Sequence, residues 1–541
     1  MTEMAAAALR VQDLSFTYRT RNTPAIQNVN LTLQAGQVVL LAGASGCGKT
    51  TLLRCINGLI PHTYTGQISG DIMLFGQSIK GMGLSEISRD VGTLLQDPER
   101  QILGTYVINE VCFGLESLGL SRAEMLPRAQ TALKRLNIAH LKDKETHYTS
   151  GGEKQKVALA GVLAMEPKIL LLDEPLASLD PASAHEALRA FRKLADEGLS
   201  VLIVEHRVED VLSINPERVV YMDEGRITYE GDVDGLLEVV DYSRIKLPAH
   251  VVVRRSRGMP QPKYSPAVPP VDPNSQPLVS FKDVHFQYSK TSPEVLHGIN
   301  LDIREGEVIA ILGHNGSGKT TTVKHALGLL KPTKGSVLLE NMDTKKQTVA
   351  ESAKTIGYVF QSPTQMLFAP TVREELAFGP TNLGFEKPKV LANVEWAINT
   401  VHLQEELPTP PLALSFGQQK RVSIAAVLSM RSKILMMDEP TAGQDYWNYQ
   451  SFMDTILQTP GFDAIVFITH DLDLALIYAN RIVVMYGGNI VADGSPHDVL
   501  KDDEQLRQWR LEPTSLLSLN RETFSKTGCF LRAESLSQLI N

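Results

Sequence analysis

Gly43-Ala44-Ser45-Gly46-Cys47-Gly48-Lys49-Thr50 has the spacing G-x-x-x-x-G-K-T, and its surroundings decide how it folds. The apolar run Val38-Val39-Leu40-Leu41-Ala42 before it reads as a buried strand. Thr51-Leu52-Leu53-Arg54 after it reads as the first turn of a helix. In that setting the glycines let the backbone wrap around a phosphate, and the helix N-terminus aims unpaired N–H groups at it. Lys49 then reaches the β- and γ-phosphates of a nucleotide, and the Thr50 hydroxyl ligates Mg2+. A glycine-rich turn with a stray lysine is the bland alternative, and the strand and helix on either side disfavour it. The same loop recurs as Gly313-His314-Asn315-Gly316-Ser317-Gly318-Lys319-Thr320, followed by Thr321.

The recurrence extends beyond the loop. Leu9, Val11, Leu14, Phe16 and Tyr18 alternate as a strand with one break at Asp13, and Val279, Phe281, Val284, Phe286 and Tyr288 repeat the pattern. Ile26–Leu33 and Val295–Asp302 are also strand-like and also matched. Lys49 and Lys319 lie 270 residues apart, while Asp173 and Asp438 lie 265 apart. So near-constant an offset means that a whole domain is duplicated. We expect a first domain over 1–255, a linker over 256–277 and a second domain over 278–541. The linker is marked by Pro260, Pro262, Pro266, Pro269, Pro270, Pro273 and Pro277, a density that favours an extended spacer. The tail after Lys501, with Leu506, Trp509, Leu511, Leu516 and Leu517, reads as a helical extension packing on its own domain or on a partner.

At 541 residues, 43% hydrophobic and 21% charged, the chain has ample material for two cores. A net charge of −8 argues against a dedicated nucleic-acid binder. Cys47, Cys55, Cys112 and Cys529 have no disulfide or zinc spacing, which suits a reducing compartment. Neither a signal peptide nor an apolar run of membrane-spanning length is visible. Work at a membrane would therefore require a membrane partner.

Ile169-Leu170-Leu171-Leu172-Asp173-Glu174-Pro175 is a buried strand ending in two acids, repeated as Ile434-Leu435-Met436-Met437-Asp438-Glu439-Pro440. Facing a phosphate loop, the first acid holds the Mg2+ shell and the second orients and deprotonates an attacking water. Upstream lie Thr149-Ser150-Gly151-Gly152-Glu153-Lys154-Gln155 and Leu414-Ser415-Phe416-Gly417-Gln418-Gln419-Lys420. With these, the chain resembles the nucleotide-binding subunits of ATP-binding cassette (ABC) proteins from residue 9 to about residue 500, in two copies. The resemblance implies two tandem P-loop NTPase domains. Each would have a RecA-like α/β core, an antiparallel β subdomain and an α-helical signature subdomain.

In that family two cassettes meet head to tail, and each ATP lies between one phosphate loop and the other cassette's signature. The resemblance thus sets Ser150, Gly151 and Gly152 against the nucleotide at Lys319, and Ser415, Gly417 and Gln418 against the one at Lys49. It sets Tyr18 and Tyr288 to stack on adenine, although an ordinary strand aromatic remains the alternative. Gln96 and Gln361 match the glutamine that touches Mg2+ and water. His206 and His470, each ending an apolar strand, match the histidine that bonds the γ-phosphate. Ser178-Leu179-Asp180 matches the loop that contacts the opposite cassette, and Gly443-Gln444-Asp445 keeps only its aspartate. Glu174, Glu439, His206 and His470 are then the candidate catalytic residues. Thr50, Gln96, Asp173, Thr320, Gln361 and Asp438 are the candidate Mg2+ ligands. The departure is Phe416, where the first signature glycine should stand; we expect it to weaken closure at the Lys49 site without abolishing it.

Two further stretches narrow the resemblance. Asp97-Pro98-Glu99-Arg100-Gln101-Ile102-Leu103 and Val107–Gly119 follow Gln96, and Ser362–Leu367 and Val372–Gly384 follow Gln361. They resemble the Q-P-x-x-Q and V-x-x-E-x-A-F-G segments of the ATPases of energy-coupling factor (ECF) importers, as does Glu205-His206-Arg207. The resemblance implies a transmembrane T-type coupling subunit seated on these segments and a small substrate-binding membrane subunit. It places the chain at the cytoplasmic face of a bacterial or archaeal cell membrane. Asp97 and Glu99 could pair with an arginine of the T subunit, and Ser362-Pro363-Thr364 lacks those acids, so the halves would grip it unequally. Fusion holds the two ATPases at an effective concentration of roughly millimolar. The fused arrangement implies a vitamin or vitamin precursor as cargo, hydroxymethylpyrimidine or thiamine first. The tandem ATPase of a sugar-type importer and a soluble tandem ABC protein remain alternatives. The second normally carries a long charged helical linker or a cysteine cluster, and this chain has neither.

Overall fold

The computed structural model describes residues 7–96, 101–177, 179–259, 269–272, 274–441 and 446–539, with the backbone alone at Phe416 and 446–449. Asp97, Pro98, Glu99, Arg100, Ser178, Pro260, Pro262, Pro266, Pro273, Gly443, Gln444, Asp445 and the Phe416 side chain lie outside the described residues. Two compact units divide at Leu247/Pro248.

Each unit is built on a six-stranded sheet of one topology. In the first, the order is Arg226–Gly231, Arg218–Asp223, Val38–Ala42, Ser200–Glu205, Ile169–Asp173, Val91–Leu94. All neighbours are parallel except the first pair. In the second, Asn489–Gly494, Arg481–Tyr486, Val308–Leu312, Ala464–Ile468, Ile434–Asp438 and Ile356–Val359 repeat that order. The central strands are unbroken apolar runs buried along their whole length, as strands covered on both faces must be. Because they are parallel, their C-terminal ends line one edge, where the candidate site residues lie.

The strands Leu9–Tyr18, Ile26–Leu33 and Gly66–Leu74 form an antiparallel sheet in the first unit, and Val279–Phe286, Leu296–Ile303 and Lys334–Leu339 form its counterpart. The break at Asp13 is a β-bulge. Asp13 has φ 47°, Asp283 has φ 49°, and the pairing register shifts at both. The Asp13 and Asp283 N–H groups donate to the Asn30 and Asn300 side chains, both at 3.0 Å, which satisfies donors that the ladder leaves out. A helical layer completes each unit: Val107–Ser117, Arg122–Arg135 and Gly151–Ala164, then Val372–Asn382, Lys387–Val401 and Phe416–Leu428.

The helix Ala249–Arg255 groups with the second unit, so the boundary expected at 255/256 falls at its end. Val251, Val252 and Val253 are buried, and the helix packs on Ser515–Thr527 and Ala533–Leu536 of the C-terminal extension. The extension packs on its own unit. Buried Arg532 pairs with Asp454 and donates to the Tyr478 hydroxyl at 2.9 Å, and Ser515–Thr527 lies against Leu472–Tyr478.

Candidate functional site

Gly48 and Gly318 open the helices Lys49–Ile56 and Lys319–Ala326 with φ of 108° and 102°, a left-handed backbone that strains any side chain. A Cβ on Gly48 would sit 2.6 Å from the Ala25 carbonyl oxygen. The loops Gly43–Gly48 and Gly313–Gly318 therefore turn tightly into their helices. The lysines that follow are folded back along them. Lys49 Nζ donates to the Gly43 and Ala44 carbonyls, both at 2.8 Å. Lys319 Nζ donates to those of Gly313 and His314 at 2.8 and 2.9 Å. Both lysines are buried, and burial pulls the Lys319 ammonium below its usual range despite Glu439 and Asp438 nearby. Of the variable loop positions, burial pushes the Cys47 thiol up, and the His314 ring, also depressed by burial, bonds the Asn315 carbonyl at 2.8 Å.

The first acid of each pair meets the loop threonine. Thr50 Oγ1 donates to Asp173 at 3.2 Å, and Thr320 Oγ1 donates to Asp438 at 2.7 Å. Burial and the adjacent Glu174 push the Asp173 carboxyl up to about 6, against the Thr50 hydrogen bond. Burial also raises Asp438, although the Tyr358 hydroxyl donates to it at 3.1 Å. The hydroxyl–carboxylate pair suits Mg2+, which takes one or two protein oxygens and completes its shell with water and substrate phosphate. Among the described residues no cluster of three or more His, Cys, Asp or Glu side chains forms an all-protein metal cage.

The second acid is held differently in the two units. Glu174 and Glu439 both leave their strands with a left-handed φ, 47° and 45°. Such backbone costs about 1–3 kcal/mol and gathers at functional sites. In the first unit Gln96 Nε2 donates to Glu174 Oε2 at 2.7 Å, and His206 Nδ1 lies 3.9 Å from the same oxygen. In the second, His470 Nδ1 is 3.1 Å from Glu439 Oε1. Burial works against the Glu439 carboxylate, but His470, Lys319 and Lys420 outweigh it and hold the group below its ordinary range. Glu439 Oε2 is buried with no hydrogen-bond partner among the described residues, an acceptor free for a proton or a water.

The remaining expected residues lie around this centre. The Tyr18 hydroxyl bonds Thr51 at 3.1 Å and accepts from Arg54 at 3.3 Å, and the Tyr288 hydroxyl bonds Thr321 at 3.1 Å. Tyr288 is 62% exposed, so its ring offers a face for stacking. Ser150 and Ser415 are the N-caps of Gly151–Ala164 and Phe416–Leu428, accepting from the N–H groups of Glu153 and Gln418. Gly151, Gly152 and Gly417 thus lie in the first turns of the signature helices, with Gln418 closing the second capping box.

Two further residues mark where the halves differ. Tyr358 stands on the strand leading to Gln361, where the first unit has Thr93. Glu205, fully buried, accepts backbone N–H bonds from Leu176, His206 and Arg207 at 3.0, 3.0 and 3.3 Å, and burial raises it. Thr469 takes its place before His470. Aligning the two halves residue by residue exposes both differences.

A family model for the ABC transporter matches residues 26–177 and again 296–442, together more than half of the chain. The chain belongs to the ABC transporter family. An ABC transporter ATP-binding protein of Caldanaerobacter subterraneus, so described provisionally, is 35% identical over 97% of each chain. A similarly described one from Streptococcus pneumoniae is 36% identical over 96% of each. One from Methanosarcina mazei is 32% identical over 98% of this chain and 97% of its own. Among solved structures, cbiO1 from Clostridium perfringens, part of the ABC transporter complex cbiONQ, is 32% identical. It covers 46% of this chain and 94% of its own, with a TM-score of 0.40. ABC transporter ATP-binding proteins are ATPases coupled to transport, and ABC ATPase domains bind ATP, normally with Mg2+. The chain is a tandem ABC ATPase with both phosphate loops and both carboxylate pairs present. No helix among the described residues is long and apolar enough to cross a membrane.

Proposed function

We propose that this tandem ATPase energises an ECF-type importer of a vitamin, vitamin precursor or other micronutrient through a transmembrane T subunit and a small substrate-binding membrane subunit. One observation supports the reading above the others. Each unit carries an exposed apolar pair at matching positions of the ECF-like segments. In the second unit Phe368 and Phe378, 61% and 51% exposed, meet edge to face with ring centres 4.7 Å apart. The first has Leu103, 70% exposed, and Phe113, 47% exposed. A buried glutamate fixes each loop from beneath. Glu110 Oε2 accepts from the N–H groups of Leu103 and Gly104 at 2.7 and 2.6 Å, and Glu375 Oε2 from those of Phe368 and Ala369 at 2.8 Å each. Rigidly held, solvent-facing apolar side chains are what a partner helix needs. Asp97 and Glu99 would add acidic partners on the first unit only.

In this reading the two cassettes pair head to tail. Lys49 and Lys319 grip the β- and γ-phosphates, and Thr50 with Asp173, and Thr320 with Asp438, would hold Mg2+, with Gln96 and Gln361 beside them. Bound Mg2+ supplies charge neutralisation on the transferring phosphoryl group. Glu174 and Glu439 orient the attacking water and take its proton, and His206 and His470 bond the γ-phosphate. Ser415, Gly417 and Gln418 close on the nucleotide at Lys49, and Ser150, Gly151 and Gly152 on that at Lys319. Tyr18 and Tyr288 stack on adenine.

Mild-detergent capture of the chain from its native host, with mass spectrometry of the membrane partners, tests the assignment. A T subunit together with a small membrane binding protein supports it, and the cargo of that protein names the substrate. A permease pair with a soluble binding protein would assign the chain to a sugar-type importer instead. The asymmetry has its own test. Phe416→Gly restores the first signature glycine and should raise ATP turnover by about two- to fivefold, a relief of roughly 0.5–1 kcal/mol in closure. Unchanged turnover would mean that the Lys49 site closes fully around the phenylalanine.

A further inference from the structure

Lys420 is a fully buried lysine that the mechanism above leaves unused. It sits five residues after the N-cap Ser415 on the helix Phe416–Leu428. Its ammonium donates to the carbonyls of Phe360 at 3.0 Å, Gln361 at 2.9 Å and Glu439 at 3.4 Å. An ammonium has three donors, and here three carbonyls receive them, which makes the buried charge tolerable. The acceptors belong to two further segments of the chain: the strand end carrying Gln361, and the main chain of Glu439 itself. Asp438 and Glu439 supply compensating negative charge. The equivalent residue of the first unit is neutral. Among the described residues, Gln155 reaches the Pro175 carbonyl alone, through one amide hydrogen bond.

We propose that Lys420 is a positioning residue that ties the second signature helix to its own glutamine loop and catalytic carboxylate. Movement of Ser415 on the nucleotide at one site is thereby transmitted to Gln361 and Glu439 at the other. The proposal rests on head-to-tail pairing. A helix is stiff over five residues, so a displacement of its N-cap is carried to the ammonium, and the ammonium holds the backbone from which Glu439 turns with a left-handed φ. The first unit has no cationic counterpart, so transmission runs more strongly from the Lys49 nucleotide to the Lys319 site than back.

The test uses the full chain with ATP and Mg2+. Lys420→Met keeps the length of the side chain and removes every donor. It should lower kcat by about tenfold, with the ATP KM within about twofold, and lower the melting temperature by a few degrees because three buried carbonyls lose their donor. Lys420→Arg should recover most of kcat, and Lys420→Gln, the residue of the first unit, part of it. A kcat loss that tracks a fall in melting temperature and is not recovered by Lys420→Arg would overturn the proposal, as would an unchanged kcat. The cycle of Ser415→Ala, Lys420→Met and the double variant tests transmission. A double variant little worse than either single supports it, and fully additive losses overturn it. If Ser415→Ala alone leaves turnover intact, head-to-tail pairing has failed, while a rescued Lys420→Met loss still marks local positioning of Glu439.

Discussion

Glu174→Gln and Glu439→Gln should each lower ATP turnover of the full chain by at least about tenfold while leaving ATP affinity nearly unchanged. Removing a general base typically costs ~10²–10⁴ in rate, or about 3–5 kcal/mol of barrier. Glutamine preserves size and most hydrogen bonds, so the loss isolates the carboxylate charge and its capacity for a proton. At the first site the carboxylate is held by Gln96 at 2.7 Å. At the second it is held by His470 at 3.1 Å, with Oε2 buried and without a hydrogen-bond partner among the described residues. Both arrangements leave an acceptor where a water must be oriented, so both sites are expected to hydrolyse and the halves to depend on each other. Steady-state kinetics with separate nucleotide-binding measurements give the kcat and affinity terms. If only one of the two substitutions slows turnover, the second carboxylate is not serving hydrolysis and the two-site reading fails.

What could be read from the sequence, and what could not, divides along a physical line. Strand–loop–helix around Lys49 and Lys319, and the strands ending in Asp173 and Asp438, were legible because an apolar run and a fixed spacing carry them. The break at Asp13 was legible as a lapse in alternation, and it is a bulge. Thr50 and Asp173 stood in the sequence as candidate Mg2+ ligands, but the direct hydrogen bond between them was not written in the spacing. Glu110, Glu375, Glu205 and Lys420 had no assigned role because their partners are backbone N–H and C=O groups, which every residue possesses. A side chain that bonds main chain leaves no complementary letter elsewhere. The grouping of Ala249–Arg255 with the C-terminal helices was hidden for a related reason: three valines state that a face is buried, but not against what. Comparison of the two halves recovers part of this, since Lys420 against Gln155 and Tyr358 against Thr93 differ where the folds coincide.

Lys49→Met and Lys319→Met should each abolish tight nucleotide binding at one site, so that the full chain binds one ATP where it had bound two. The argument lies in where the lysines already are. Each ammonium rests on two carbonyls of its own loop within 2.9 Å, so it need not be ordered when a phosphate arrives. The ammonium's remaining donor can then reach phosphate, and hydrogen bonds between charged groups contribute about 1.5–3 kcal/mol each. One such contact, shared between β- and γ-phosphate oxygens, amounts to about 1.5–3 kcal/mol, a weakening of about 10- to 100-fold. Methionine fills the volume but also leaves the loop carbonyls without their donor, so the loop itself loosens and the estimate is a lower bound. Equilibrium titration with ATP in the absence of turnover reads the stoichiometry directly. Two nucleotides still bound with unaltered affinity in Lys49→Met would show that the Gly43 loop is not the phosphate site. Loss of both nucleotides from a single substitution would show that the second site is completed only when the first is filled, and would make the head-to-tail pairing a requirement of binding as well as of hydrolysis.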